Sequence, residues 1–275
     1  MFNAHSELLK DFWEHGRSAR CPIIDFHAHM NPHVGSFMPL VTAEKMVAKM
    51  QRCGTRLTIF SGHDAMFVPA FHHAHDLEAV GKFPQQLRAY FVMNGSVPDQ
   101  QSELELLKSR PDVFVGLKTL GDYFGYRVND PVYTPYYDYA DEHEMPVLLH
   151  TWGGSPYNGV SEVEKLAQRY RRLTIIVGHS CHGEWEEAAR LANTYANVYL
   201  ELTAVFDEVG PLEILLSKCS SEKIVFGTDL PWFDTMHGVG YLFSTPMTDR
   251  DRENILFRNG VRILKKHEWF RQLWN

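Results

Sequence analysis

Residues 21–30 read Cys-Pro-Ile-Ile-Asp-Phe-His-Ala-His-Met. Pro22 punctuates the chain, and a short apolar, β-branched run follows it, which reads as a buried strand. Side chains alternate along a strand, so His27 and His29, two residues apart, project from one face. The strand therefore has an apolar beginning and an end that carries chemistry.

The same pattern recurs outward along the chain. Short runs rich in β-branched and aromatic residues occupy 23–26, 56–60, 87–93, 113–118, 147–150, 173–177, 198–202 and 224–226. Most are separated by stretches with helical spacing, at 43–53, 101–108, 136–143, 162–170, 184–194 and 212–218. Strands alternating with helices imply βαβ units and a parallel sheet. Eight such units in a chain of 275 residues predict a closed (β/α)8 TIM barrel of the metal-dependent hydrolase type. An open doubly wound sheet is the alternative, but no Gly-x-Gly-x-x-Gly follows the first strand. No linker or low-complexity segment divides the chain, so 1–275 reads as one domain. Residues 1–20 form an extra amphipathic helix, with Phe2, Leu8, Leu9, Phe12 and Trp13 on one face and Gly16 at its end. The barrel core is expected over 21–266.

Composition narrows the function class. The formal net charge is −7 and no basic stripe is visible, which argues against a nucleic-acid partner. The N-terminus lacks an uninterrupted apolar segment of the signal-peptide kind, and no run is long enough to span a bilayer. The four cysteines, Cys21, Cys53, Cys181 and Cys219, form no Cys-x-x-Cys pair. The expectation is a cytoplasmic protein with reduced thiols, acting on a small molecule without membrane contact. Loop aromatics and the extra helix leave room for a homodimer.

Histidine is abundant, at 15 residues, and its placement matters more than its number. Predicted strands one, four, five, six and eight end in polar residues: His27 and His29, Lys118, His150, His179 and Asp229. In a barrel these ends face the catalytic mouth. Imidazole and carboxylate donors suit zinc, iron or manganese, with zinc the default for a histidine-rich catalytic site. Three histidines and one aspartate leave a position for water, which a metal acidifies toward neutrality. Asp229 can move protons while touching the metal, and His179 can do so from behind it. Taken singly, each residue has a plainer reading: His150 as a hydrogen-bonded rim residue, Asp229 as a turn or helix cap, Lys118 as a solvated lysine.

Six ordered blocks extend this reading: Ile-Ile-Asp-Phe-His-Ala-His at 23–29, Gly-Leu-Lys-Thr-Leu at 116–120, Glu-Met-Pro-Val-Leu-Leu-His-Thr at 144–151, Ile-Ile-Val-Gly-His at 175–179, Asn-Val-Tyr-Leu-Glu at 197–201 and Ile-Val-Phe-Gly-Thr-Asp-Leu-Pro at 224–231. With Asn-Gly-Val-Arg-Ile-Leu at 259–264, the chain resembles the amidohydrolase superfamily. The resemblance is to the amidohydrolase-related branch that includes aminocarboxymuconate-semialdehyde decarboxylase, and it covers about 21–266. It implies that His27, His29, His150 and Asp229 bind a divalent metal, expected as one zinc ion, with His179 as the catalytic histidine of the sixth strand. Lys118 sits where some members carry a carboxylated lysine bridging two metals, or it serves substrate or structure.

Two departures from the family pattern stand out. His182 lies where small residues are usual, and either adds a polar group to the pocket or faces solvent. Glu201 either joins the ligand network or pairs with a buried base. Softer candidates are Tyr126 and Arg127 for a substrate carboxylate, with His63 at the same face. Phe124, Tyr126, Trp152 and Trp232 are expected to wall the pocket. His72, His73 and His75 read as a solvated helical face.

The first functional expectation is hydrolysis of an amide, ester or lactone. The alternative is non-oxidative decarboxylation or another carbon–carbon cleavage of a small carboxylic acid. A barrel that has lost catalysis and serves as a scaffold is the third.

Overall fold

The computed structural model describes residues 6–68 and 73–274. Eight parallel strands follow one another around a single sheet: β1 Ile23–Met30, β2 Thr55–Gly62, β3 Leu87–Val92, β4 Phe114–Thr119, β5 Pro146–Trp152, β6 Thr174–His182, β7 Val198–Glu201 and β8 Ile224–Val225. The ring closes where the chain beyond β8 meets β1. There Phe26 N–H donates to Phe226 O at 2.9 Å, His29 N–H donates to Leu230 O at 2.6 Å, and Ala28 bridges Leu230 in parallel. The fold is the (β/α)8 TIM barrel that the strand count predicts.

Helices cover the outside. Ala43–Cys53, Gln100–Ser109, Val160–Arg169 and Trp185–Thr194 each turn an apolar stripe onto the sheet. The N-terminal helix is Glu7–His15, capped by the Ser6 side chain and ended by Gly16 in the left-handed region at φ 63°. It is shorter than the predicted 1–20. Leu8, Leu9 and Phe12 are buried as expected, whereas Trp13 is exposed; Phe2 lies outside the described residues.

The interior of the barrel is apolar in its first half. Ile24, Leu57, Ile59, Tyr90, Leu148, Ile176 and Val225 form one buried cluster, joined by Ile263, Leu264 and Phe270 from the C-terminal helices. Tyr90 fits because Gly116 beside it has no side chain; a Cβ there would lie 2.8 Å from the ring. β8 is only two residues long, and the next amide, Phe226 N–H, donates to Ile255 O at 3.2 Å. Ile255 sits in a π-helical turn, Asn254–Arg258, and such turns divert a backbone carbonyl from its usual helical partner. All four cysteines are free and buried. Among the described residues no helix is long and apolar enough to cross a membrane.

Candidate active site

The strands that predict a chemical end run further than their apolar runs. β1 continues through both histidines, with His29 registered against Ser61 of β2, and β6 continues to His182, registered against Trp152. A register irregularity between Asp25 and Ala28 re-aims the end of β1. The Asp25 carboxylate fixes this bend, accepting from His27 N–H at 3.0 Å, Thr228 N–H at 3.2 Å and the Thr228 hydroxyl at 2.7 Å. Asp25 thus ties the end of β1 to the segment after β8 that carries Asp229.

The two histidines of β1 present lone pairs to that aspartate. His27 Nδ1–H donates to Glu201 Oε2 at 2.9 Å, and His29 Nδ1–H donates to Ser61 O at 3.2 Å. With each Nδ1 carrying the proton, each Nε2 is left as a lone pair. Asp229 Oδ1 lies 2.8 Å from His29 Nε2 and 3.3 Å from His27 Nε2. Despite that closeness it is buried without a hydrogen-bond partner. Donor atoms of His27, His29 and Asp229 all lie within 4.8 Å of one another. His29 Nε2 and Asp229 Oδ1 face each other with no proton between them, and His27 Nε2, which also lies 3.0 Å from Lys118 Nζ, completes a set that fits a cation; imidazole backed by carboxylate is the usual support for a metal-bound histidine. Burial pushes His27 well below its ordinary pKa, aided by Lys118, which keeps the ring neutral as ligation requires.

His150 and His179 form a second pair beside the first. His179 Nδ1–H points at Thr203 O at 3.3 Å, so its Nε2 accepts from His150 Nδ1–H at 3.0 Å. The His179 ring centre is 5.0 Å from that of His27. Burial pushes His179 down to about 3 and His150 well below the usual histidine value. His150 is outside both compact donor groups, which comprise His27, His29 and Asp229 in one and His27, His179 and Glu201 in the other.

Glu201 is the hub beneath these rings. Oε2 accepts from His27 Nδ1–H and His179 N–H, while Oε1 accepts from Thr203 N–H and its hydroxyl, both at 2.6 Å. Burial pushes its carboxyl up, and the His179 ring and the Thr203 bonds oppose the shift. Gly227 is required next to it, because a Cβ there would collide with Oε1. Lys118, fully buried on β4, brings Nζ to 3.0 Å from His27 Nε2. Burial lowers its pKa to about 8, against the raising influence of Asp229 and Glu201.

The backbone here is strained. His179, Ser180 and Cys181 take φ of 62°, 48° and 51° in succession, and Asp229 takes 57°. Each left-handed non-glycine residue costs about 1–3 kcal/mol. Side-chain bonds hold the triplet: Ser180 Oγ donates to Glu201 O at 2.8 Å, and Cys181 N–H donates to Thr151 Oγ1 at 2.9 Å.

The loops at the mouth follow the sequence only in part. Trp152 stands edge-on to His179 at 5.8 Å and stacks on His182 at 4.2 Å. His182 Nε2 is also 3.8 Å from the Glu208 carboxylate. His63 stacks on His29 at 5.1 Å, donates through Nδ1 to Asn31 O at 2.7 Å, and accepts from Trp232 Nε1–H at 3.0 Å. Phe124 and Tyr126 depart from their predicted role as pocket walls. The short helix Gly121–Phe124 ends at Gly125 in the left-handed region, which turns Phe124 onto Met66, Val92 and Leu120. Tyr126 packs against Gly95 and Tyr133. Tyr123 faces His150 instead, at 5.4 Å, a residue the sequence reading passed over. Arg127 pairs with Glu162 at 3.3 Å on the flanking helix, and among the described residues no hydrogen bond, ion pair or ring contact joins it to a histidine.

The described members of the other histidine cluster, His73 and His75, each pair with a nearby acid. His73 is buried against Phe91 and bonded to Asp76 at 2.7 Å, unlike the predicted solvated face. His75 pairs with Asp64, and His72 lies outside the described residues. Asp25 was legible only as a letter of the opening block, and its bonds to Thr228 carried no sequence signal.

Among curated proteins none matches this sequence. Solved structures share the fold. 2,6-Dihydroxybenzoate decarboxylase from Rhizobium aligns with a TM-score of 0.68 at 17% identity, over 90% of this chain and 99% of that one. An uncharacterised TIM-barrel protein from Bordetella bronchiseptica aligns with a TM-score of 0.76 at 16% identity, over 89% and 99%. A dihydroxybenzoic acid decarboxylase from Polaromonas, with bound manganese and the inhibitor 2-nitroresorcinol, aligns with a TM-score of 0.66 at 16% identity, over 89% and 97%. The amidohydrolase family model matches residues 24–266, nearly the whole barrel, and the chain belongs to that family of enzymes.

Proposed function

We propose that this enzyme is a metal-dependent, non-oxidative decarboxylase of a small aromatic or muconate-type carboxylic acid. The observation that carries the metal is the buried Asp229 Oδ1, unpartnered by hydrogen and faced by two imidazole lone pairs. His27, His29 and Asp229 would hold one divalent cation, with His150 swinging from His179 to complete the set. Zinc is the first expectation from the donor types, and manganese suits them as well. A cation bound there supplies Lewis acidity toward a substrate oxygen.

The chain's own residues supply the rest. Tyr123, Trp152 and Trp232 stand around the histidines with ring faces and edges, each partly open to solvent, which fits a planar substrate stacking at the mouth. Decarboxylation breaks the bond between the carboxylate carbon and its neighbour. Carbon dioxide leaves, the electron pair stays on the neighbour, and that carbon then takes a proton. Asp229 within the donor set and His179 beside it are the groups placed to move this proton, and Thr203 O, accepting from His179 Nδ1–H, orients the His179 ring.

The same donors serve hydrolysis, the reading the sequence placed first. Support for decarboxylation over hydrolysis comes from the aromatic mouth and from the decarboxylases among the similar folds. Assays of the zinc- and manganese-loaded protein separate the two. The expected result is carbon dioxide release from 2,6-dihydroxybenzoate or a muconate-type acid. Turnover of lactones or esters alone returns the assignment to hydrolysis. Elemental analysis is expected to give about one metal per chain, largely lost in His150→Ala.

A further inference from the structure

We propose that His63 is a positioning residue: it pins the Trp232 indole as one wall of the site and so sets the affinity for a planar substrate, without touching the substrate itself. The role in affinity rests on the reading of the site given above; the grip on Trp232 stands without it.

The two ring nitrogens of His63 are both spoken for. Asn31 O is a carbonyl and can only accept, so His63 Nδ1, 2.7 Å away, carries the proton. Nε2 is then the acceptor, and the Trp232 indole N–H donates to it at 3.0 Å. The ring is also buried. His63 therefore has no nitrogen left for a substrate.

Three neighbouring loops meet at this ring. His63 opens the short helix His63–Phe67 that follows β2. The next residue, Asp64, accepts from the Asn31 side-chain amide at 2.7 Å, so the pair grips Asn31 by main chain and side chain together. Asn31 lies just past β1 and takes φ of 71°, which asparagine tolerates better than most residues. Trp232 comes from the segment after β8, where its backbone N–H donates to Asp229 O at 2.7 Å. The His33 ring closes the group, edge-on to His63 at 5.4 Å and to Trp232 at 4.9 Å. The ends of β8, β1 and β2 are thus keyed to one another at His63.

Trp232 is 43% exposed. A large ring on an open loop has several rotamers, and a ligand that must select one loses affinity in doing so. The hydrogen bond from its only polar atom makes the selection in advance, with the indole and imidazole planes at 88°. Because the indole N–H is consumed, the wall offers a substrate apolar ring surface alone, and that surface is useful only where it stands. Trp232 has no group to bind a metal or carry a proton. Loss of the hold is therefore felt in binding and far less in the chemical step.

His63→Phe keeps a ring beside His29 and removes both hydrogen bonds. Zinc-loaded wild type, His63→Phe, Trp232→Phe and the double variant are titrated with 2,6-dihydroxybenzoate by calorimetry and assayed for carbon dioxide release. Each single variant is expected to weaken binding on the order of tenfold, with a matching rise in KM and a much smaller fall in kcat. The double variant is expected to bind no more weakly than the weaker single variant, because both substitutions break one coupled unit. His63→Gln, which can still donate to Asn31 O and accept from the indole, is expected to lie closer to wild type. Zinc content is expected to stay the same throughout. In protein labelled with 15N-tryptophan, the indole resonance missing from Trp232→Phe is expected to move in His63→Phe and to exchange faster with solvent. Additive losses, an unmoved indole resonance, or zinc loss in His63→Phe would overturn the proposal. If the wild type binds no aromatic acid, the function proposed above falls, and the indole resonance alone decides whether His63 holds Trp232.

Discussion

The two halves of the barrel interior are built on opposite terms. In the lower half, Ile24, Leu57, Ile59, Leu148, Ile176 and Val225 pack together with no charge among them. In the upper half, the same strands carry buried histidines, a lysine and three carboxylates, and four residues sit in the left-handed backbone region. The lower layer stabilises by burying apolar area. The upper layer spends part of that stability to hold donors in a fixed arrangement. β5 crosses from one regime to the other within two residues, between Leu148 and His150.

Substitutions that act on one half and spare the other test this division. The largest effect is expected from Asp229→Asn, which keeps the shape but weakens the proposed donor: metal content is expected to fall steeply, and the proposed decarboxylation to drop by on the order of a hundred- to a thousandfold. Elemental analysis with steady-state assays checks both, and full metal retention would contradict the division. Next is Leu148→Ala in the lower layer, expected to cost about 2–5 kcal/mol in urea unfolding while metal stoichiometry stays the same. Glu201→Gln strikes the support of the donors, and metal affinity is expected to fall by about 10–100-fold in chelator competition. Arg127→Ala should be the mildest. Its half-exposed guanidinium lies on the outer flank, and the buried Glu162 carboxylate keeps Lys165 at 2.6 Å, so both unfolding free energy and KM are expected to stay near wild type, within about 0.5 kcal/mol. A large rise in KM would instead place Arg127 in the substrate site.

The sequence made the lower half and the strand order readable, because apolar runs of the right length leave few choices. The same logic reached His27, His29, His150, His179 and Asp229, since each ends such a run. It underestimated the lengths of β1, β5 and β6. Polar residues break the apolar pattern, yet still pair in the ladder, as His29 does with Ser61 and Trp152 with His182. Loop side chains were the least legible. Whether Tyr123 or Phe124 faces His150 depends on one left-handed glycine, Gly125, and on the turn it closes. Arg127 shows the same limit: its chemistry suits a carboxylate, and only three dimensions reveal that the carboxylate is Glu162. Glu201 lay between two readings, a ligand network or a buried base, and its bond to His27 meets the second while serving the first.

The contact between Gly227 and Glu201 carries a lesson about inheritance. The acid's length and the glycine's bareness share one volume, between the end of β7 and the segment just beyond β8. A methyl group at 227 would also lie 2.8 Å from His27 Cβ, so shortening the acid alone makes no room, and a chain that keeps both Glu201 and His27 is bound to glycine there. The glycine is therefore expected to outlast changes at either neighbour alone, because steric room fixes the order of the steps along any such lineage.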